Sequence, residues 1–288
     1  MRTLRTIADV RAALAGARRD GRSIALVPTM GALHDGHLSL IRTARNIADL
    51  VVVSVFVNPI QFNDPNDLAA YPRDEARDAE LASDAGADLL FAPSVEEMYP
   101  EGFTTQVRVT GPLTETLEGE HRGPDHFHGV TTVVCKLFNI VGPDVAVFGA
   151  KDAQQALVIK RMVVDLAMPV RIEVVPTVRD ADGLALSSRN VRLSEDDRRQ
   201  ALGLSRALRA AEAAVADGAR DAEQVLAAAR QTLQDFDIEP EYVALVDPET
   251  LSPVEAVDRE ALLAVAARVG DVRLIDNTTL TPKAAAEE

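Results

Sequence analysis

A single cysteine, Cys135, in a chain of 288 residues excludes an intrachain disulfide framework and any zinc site built on cysteine. Its place inside an apolar stretch predicts a small buried hydrophobe. No apolar run reaches the length of a bilayer span. The N-terminus MRTLRTIADVRAALAGARR lacks the uninterrupted apolar segment of a signal peptide and is expected to form an amphipathic helix. A soluble, cytoplasmic protein is expected. Positive charge is also scarce: 30 Lys and Arg stand against 45 Asp and Glu, a formal net charge of −15. Such a chain gains nothing from non-specific attraction to nucleic acid or anionic lipid. An anionic substrate has to be held by a few placed cations against the overall field.

What is present is ordinary globular composition, 47% hydrophobic and 26% charged, long enough for one large domain or two unequal ones. Residues 24–27 and 50–57 are continuous apolar runs. Between them lie a glycine-containing turn and, over 37–48, apolar residues at helical spacing. Strand, turn, helix, strand is a βαβ unit, and continuous rather than alternating apolar strands predict a parallel sheet covered on both faces. The alternation continues with helices at 74–85, 130–141 and 152–167 and strands at 88–91, 144–148 and 170–175. The fold class is therefore α/β, a Rossmann-like doubly wound parallel sheet over residues 1–177, followed by a smaller α+β domain over 178–288. In the second domain, helices are expected at about 194–217 and 221–234, and strands at 241–246, 261–268 and 272–276. The run ALLAVAAR (261–268) has helical propensity as well. The tail KAAAEE is expected to be disordered.

The segment PTMGALHDGH (28–37) sits where a doubly wound sheet binds ligands, past the C-terminal end of its first long strand. The helix that follows offers unpaired N–H groups and partial positive charge to an anion. Gly31 and Gly36 permit close backbone approach. His34 and His37 add imidazole donors at the same spot. A metal and plain packing are alternatives to a phosphate, but two imidazoles alone do not make a metal site. The segment is neither a G-x-G-x-x-G turn nor a P-loop; it places histidine where the P-loop places lysine.

His-x-Gly-His after a first strand resembles the signature of the nucleotidyltransferase superfamily. Taken with FVNPIQF (56–62), DLAAYPR (67–73), FGAKDAQQ (148–155) and PTVRDADGLALSSRN (176–190) in that order, the chain resembles the pantoate–β-alanine ligase family over nearly its whole length. The resemblance implies an ATP-dependent ligase that condenses pantoate with β-alanine through a pantoyl adenylate. It implies His34, His37 and Lys151 as catalytic, with His37 the proton donor. It implies an ATP site formed by Met30, Gly31, Ala32, Leu33, His34, Asp35, Gly36 and His37, by Gly149, Ala150, Lys151 and Asp152, by Val178, and by Leu186, Ser187, Ser188 and Arg189. The Ser-Ser-Arg segment is expected to close over the triphosphate as part of a lid. Gln61 and Gln155 are expected to grip pantoate, with Asn58 and Tyr71 shaping the pocket for pantoate and β-alanine. Mg²⁺ is expected with ATP, held mostly by phosphate oxygens and water, with Asp78 as a candidate contact. A homodimer is implied as well. The sequence departs from the family pattern at Ala150, where the family has Glu, at Leu186, where it has Met, and in RGPDHFHGV (122–130), one residue longer, which removes the basis for assigning Arg122.

Overall fold

The computed structural model describes residues 1–282, so the expectation for the KAAAEE tail lies outside the described residues. The chain divides into two compact units, residues 1–150 with 154–178, and residues 151–153 with those from Arg179 onward.

The first unit is built on a six-stranded, all-parallel sheet. Its strands are β1 (Arg2–Leu4), β2 (Ile24–Thr29), β3 (Leu50–Val55), β4 (Leu89–Phe91), β5 (Val145–Gly149) and β6 (Arg171–Val175), in spatial order β1-β4-β3-β2-β5-β6. The continuous apolar runs become the central strands because both faces are covered: Ala25 and Val27 belong to one core cluster, Ile24 and Leu26 to the other. On one side pack the helices Asp35–Ile47 and Glu75–Asp84; on the other pack Ile7–Arg19, Pro124–Val141 and Ala153–Asp165. Strand order runs outward from β2 through β3 to β4 and reverses from β5 to β6. The crevice therefore opens past Thr29 and Gly149, the last residues of the two neighbours β2 and β5.

Three expectations are corrected. The N-terminal segment is not helical throughout. Arg2–Leu4 pairs in parallel with Leu89–Phe91, and the helix begins at Ile7 because the Thr6 side chain caps it by accepting from the Asp9 N–H at 3.1 Å. The helix expected from residue 130 begins at Pro124, since proline suits the first helical turn, where its missing N–H has no partner to lose. Cys135 is half-buried rather than buried. It lines a cavity of about 330 Å³ together with Lys136, Asn139 and Thr132, and burial pushes its thiol up.

The second unit has a three-stranded antiparallel sheet, β7 (Pro240–Val246), β8 (Ala261–Val269) and β9 (Val272–Leu280), in that order. The helices Glu195–Ala216 and Ala222–Asp235 share its core. The ALLAVAAR run is the central strand despite its helical propensity, because Leu263 and Val265 join that core while partners on both sides take its backbone. β9 continues past its expected end at Asp276 to Leu280, because its pairing with β8 persists as far as Ala261↔Leu280.

Candidate functional site

The turn after β2 is held from below. Thr29 Oγ donates to the Ser54 carbonyl at 2.7 Å and accepts from the Gly31 N–H at 3.1 Å. Gly31 has φ +82° and Ala32 has φ +51°, a left-handed pair that is costly for an alanine. Asp78, on the helix Glu75–Asp84, supplies the compensation. Its Oδ2 accepts from the Ala32 N–H at 2.9 Å and its Oδ1 from the Leu33 N–H at 2.7 Å. The carboxyl is buried; burial pushes its pKa above the usual range, and the Leu33 and Ala32 donors pull it back only in part. A Cβ on Gly31 would lie 2.8 Å from Asp78 Oδ2 and 3.0 Å from Val55 Cγ1, so this position requires glycine for both space and conformation.

The two histidines cap the following helix reciprocally. His34 is its N-cap, and His34 Nδ1 accepts from the Gly36 N–H at 3.2 Å. The His34 N–H reaches His37 Nδ1 at 3.4 Å. The rings lie 4.1 Å apart, tilted by 40°. An Nδ1 that accepts from a backbone N–H carries no proton, so each neutral ring holds its hydrogen on Nε2. The helix start thus presents two imidazole donors beside its own positive end.

The turn after β3 supplies amides. Asn58 is buried and precedes the short turn Pro59–Gln61. Its Nδ2 donates to Gln61 Oε1 at 2.9 Å and to the Gly129 carbonyl at 3.1 Å. Gln61 Nε2 reaches Met30 Sδ at 3.1 Å, which joins this turn to the one after β2. Tyr99 and His126, both missed in the sequence, touch the same group. Tyr99 Oη donates to Asn58 Oδ1 at 2.8 Å, and His126 Nδ1 lies 2.8 Å from the Gln61 carbonyl. His126 belongs to the lengthened RGPDHFHGV segment, which therefore lies against Gln61. Arg122 in the same segment pairs with Glu118 at 2.8 Å. Tyr71 is buried edge-on to Phe62, ring centroids 5.7 Å apart, a packing contact beside Gln61.

Gly149 and Ala150 follow directly on β5, and Val178 ends the first unit. Gln155 stands partly exposed near the start of the helix Ala153–Asp165. Its neighbour Gln154, unmarked in the sequence, is buried. Gln154 donates to the Leu113 and Thr116 carbonyls at 2.9 and 2.8 Å and accepts from the Glu118 N–H at 3.0 Å. Its amide is consumed in holding a loop.

In the second unit, Lys151 Nζ stands 3.7 Å from Asp152 Oδ1, and the Lys151 carbonyl accepts from Asn277 Nδ2 at 2.8 Å. Ser187, Ser188 and Arg189 open a single 3₁₀ turn, capped where Ser187 Oγ accepts from the Arg189 N–H at 3.3 Å. Leu186 precedes it, partly exposed. The segment leading there is anchored by ion pairs. Arg179 binds Asp276 with both nitrogens, at 2.6 and 3.0 Å. Arg198 reaches Asp180 at 2.7 Å and Asp182 at 2.8 Å.

Residues 2–279 match the family described as pantoate-beta-alanine ligase. The chain is 56% identical to the pantothenate synthetase of Moorella thermoacetica over 97% of its own length and 99% of the relative's. It is 51% identical to that of Syntrophotalea carbinolica, over 96% and 98%. Among solved structures, pantothenate synthetase from Thermus thermophilus superimposes with a TM-score of 0.93 at 50% identity, covering 98% of this chain and all of that one. A pantoate-beta-alanine ligase from Francisella tularensis, complexed with beta-gamma ATP and beta-alanine, gives 0.80 at 34% identity, over 96% and 97%.

Proposed function

The chain belongs to the pantoate–β-alanine ligase family, whose reaction is the ATP-dependent condensation of pantoate with β-alanine; from that premise we propose that the chemistry is carried by the turn after β2 and the amides after β3. The observation that carries this assignment is the reciprocal His34–His37 cap, which fixes two imidazole donors at a helix N-terminus on the crevice of the sheet.

In the first step the pantoate carboxylate attacks the α-phosphorus of ATP. An O–P bond forms, the bond to the β-phosphate bridge breaks, and pyrophosphate leaves. Two anions meet, so donors and cations have to offset both the repulsion and the charge growing on the leaving group. His34 and His37 are assigned to that charge, with Lys151 as the cation. In the second step the β-alanine amine attacks the acyl carbon, the C–O bond to AMP breaks, and the amine loses a proton. Little covalent chemistry is asked of the protein, so positioning dominates. Gln61, Gln155, Asn58 and Tyr71 are assigned to pantoate and β-alanine. Met30–His37, Gly149–Asp152, Val178 and Leu186–Arg189 are assigned to ATP. The ATP and β-alanine complex of the Francisella relative supports the choice of ligands. At Ala150 and Leu186 the nucleotide contacts are assigned to the backbone, which both substitutions leave in place.

Mg²⁺ belongs to the same proposal. Among the described residues no group of three His, Cys, Asp or Glu side chains converges on a metal position. An ion held mostly by phosphate oxygens and water would need no such group and would shield charge on the nucleotide. Asp78, whose two oxygens each take a backbone N–H, is reassigned from metal contact to support of the turn. The division at residue 178, with the second domain as a lid carrying Ser187–Arg189, a homodimeric state and a cytoplasmic location are carried forward as proposals. No described helix is long and apolar enough to cross a membrane.

Pantoate-dependent exchange of labelled pyrophosphate into ATP, without β-alanine, tests the site. The native chain is expected to exchange, and His37→Ala to lose about 10²–10³-fold while still folded. Equal exchange in both would remove His37 from the first step.

A further inference from the structure

Four side chains and one backbone carbonyl in the first unit form a hydrogen-bond chain whose direction can be worked out from donors and acceptors alone. The Gly129 carbonyl can only accept, so the Asn58 end that meets it at 3.1 Å is the NH₂. Asn58 Oδ1 then faces Tyr99 Oη, which has to donate to it at 2.8 Å. Burial pushes the Tyr99 phenol far up, so its proton stays in place. The second hydrogen of Asn58 Nδ2 goes to Gln61 at 2.9 Å, which makes that end of Gln61 the carbonyl oxygen. The remaining end, the Gln61 NH₂, meets Met30 Sδ at 3.1 Å. Thioether sulfur is a weak acceptor, so this donor is easily surrendered to a better one.

The chain has no slack. Asn58 is 1% exposed. A Cβ on Gly129 would come within 2.5 Å of the Ile60 carbonyl and 2.7 Å of Gln61 Cα, so helix Pro124–Val141 lies directly against the Pro59–Gln61 turn. The Tyr99 ring is held between Phe56 and Phe103, centroids 6.0 and 5.0 Å away.

We propose that Tyr99 is a positioning residue for the acid substrate: through Asn58 it fixes the Gln61 side chain with its NH₂, not its carbonyl, offered to substrate. The recognised group is an oxygen acceptor, a carboxylate or hydroxyl oxygen on the acid. This rests on the assignment of Gln61 to pantoate made above. Without the Tyr99 hydroxyl, the buried Asn58 oxygen loses its donor among the described residues, and the Gly129 carbonyl alone is left to hold the amide chain in one polarity.

The test is steady-state pyrophosphate exchange with Tyr99→Phe and Gln61→Glu, each with thermal unfolding and a KM for ATP. Tyr99→Phe keeps the ring and its packing. Its pantoate KM is expected to rise about tenfold, with the KM for ATP and the unfolding midpoint little changed. Gln61→Glu, which removes the donor, is expected to raise the pantoate KM at least as far. If Gln61→Glu raises it and Tyr99→Phe does not, the relay from Tyr99 is wrong while the Gln61 assignment stands. If Gln61→Glu leaves it unchanged, the Gln61 assignment fails and the relay falls with it. If Tyr99→Phe shifts both KM values and the midpoint together, its role is structural and the proposal is overturned.

Discussion

The turn after β2 and the segment from Arg179 that leads into Leu186–Arg189 are both irregular stretches that carry residues assigned to ATP, yet they are held by different forces. The first hangs on one buried carboxylate that takes two backbone N–H groups, Ala32 and Leu33. The second is moored by guanidinium–carboxylate pairs, Arg179 to Asp276 and Arg198 to Asp180 and Asp182. A buried hydrogen-bonded clamp tolerates little change and feels salt weakly. The part-exposed Arg198 pairs are worth less each and are screened, while Asp276, 3% exposed, holds Arg179 from a buried position. The difference suits a rigid turn in one unit and an adjustable loop in the other.

The largest effect is expected from Gly31→Ala. The new Cβ meets Asp78 and Val55 in a backbone conformation that alanine resists. A loss of about 2–4 kcal/mol and at least about a hundredfold in pyrophosphate exchange should appear in denaturant melts and in the assay. Asp78→Asn comes next. The single amide oxygen can serve only one of the two N–H groups and leaves the other facing an NH₂, so a loss of about 1–3 kcal/mol is expected, with faster hydrogen exchange at Ala32 and Leu33. If Asp78→Asn were silent in both measurements, the clamp would be a bystander and the contrast would collapse. In the other region, Asp276→Ala leaves Arg179 half-buried without its partner and is expected to cost about 2 kcal/mol. Arg198→Ala is the smallest, at most about 1 kcal/mol, and its effect should shrink in high salt while that of Asp78→Asn should not.

Acid separates the two regions by sign. Asp78 has a raised native pKa, so the folded chain holds that proton more tightly than the unfolded one. Its contribution to stability is present at low pH and is lost as pH rises through its native value. Burial pushes Asp182 up as well, but the Leu184 N–H and Arg198 outweigh it, and its pKa ends lowered. Its contribution is present above the unfolded value of about 3.9 and is lost as pH falls through the native value. Hydrogen exchange read below about pH 4 should therefore show the Leu184 amide losing protection before those of Ala32 and Leu33. The reverse order would contradict the assignment of forces.

Much of this architecture was legible in the sequence, and for physical reasons. Buried parallel strands have to be apolar on both faces, so LVVVSV and IALV declared themselves. The candidate site turn could be picked out because its glycines and histidines are crowded into ten consecutive residues, 28–37. The missed parts are the long-range ones. Nothing local marks Tyr99 as the donor to Asn58, 41 positions away, or His126 as the partner of Gln61, 65 away. Gln154 and Gln155 are identical in kind, and only the direction each faces on its helix separates a loop brace from a substrate candidate. The strand at Arg2–Leu4 was hidden because three residues are too short for a period, and its partner lies far along the chain.

That strand has a consequence for handling the protein. β4 is only Leu89–Phe91, flanked by β3 on one side and by β1 on the other. β1 contributes a single buried side chain, Leu4, yet it covers a row of backbone hydrogen-bonding groups that would otherwise invite a foreign strand. Trimming a few residues from the front would remove little core but would uncover that row. The trimmed chain is expected to melt nearly as before and to self-associate on storage, a shelf-life defect that a stability measurement alone would miss.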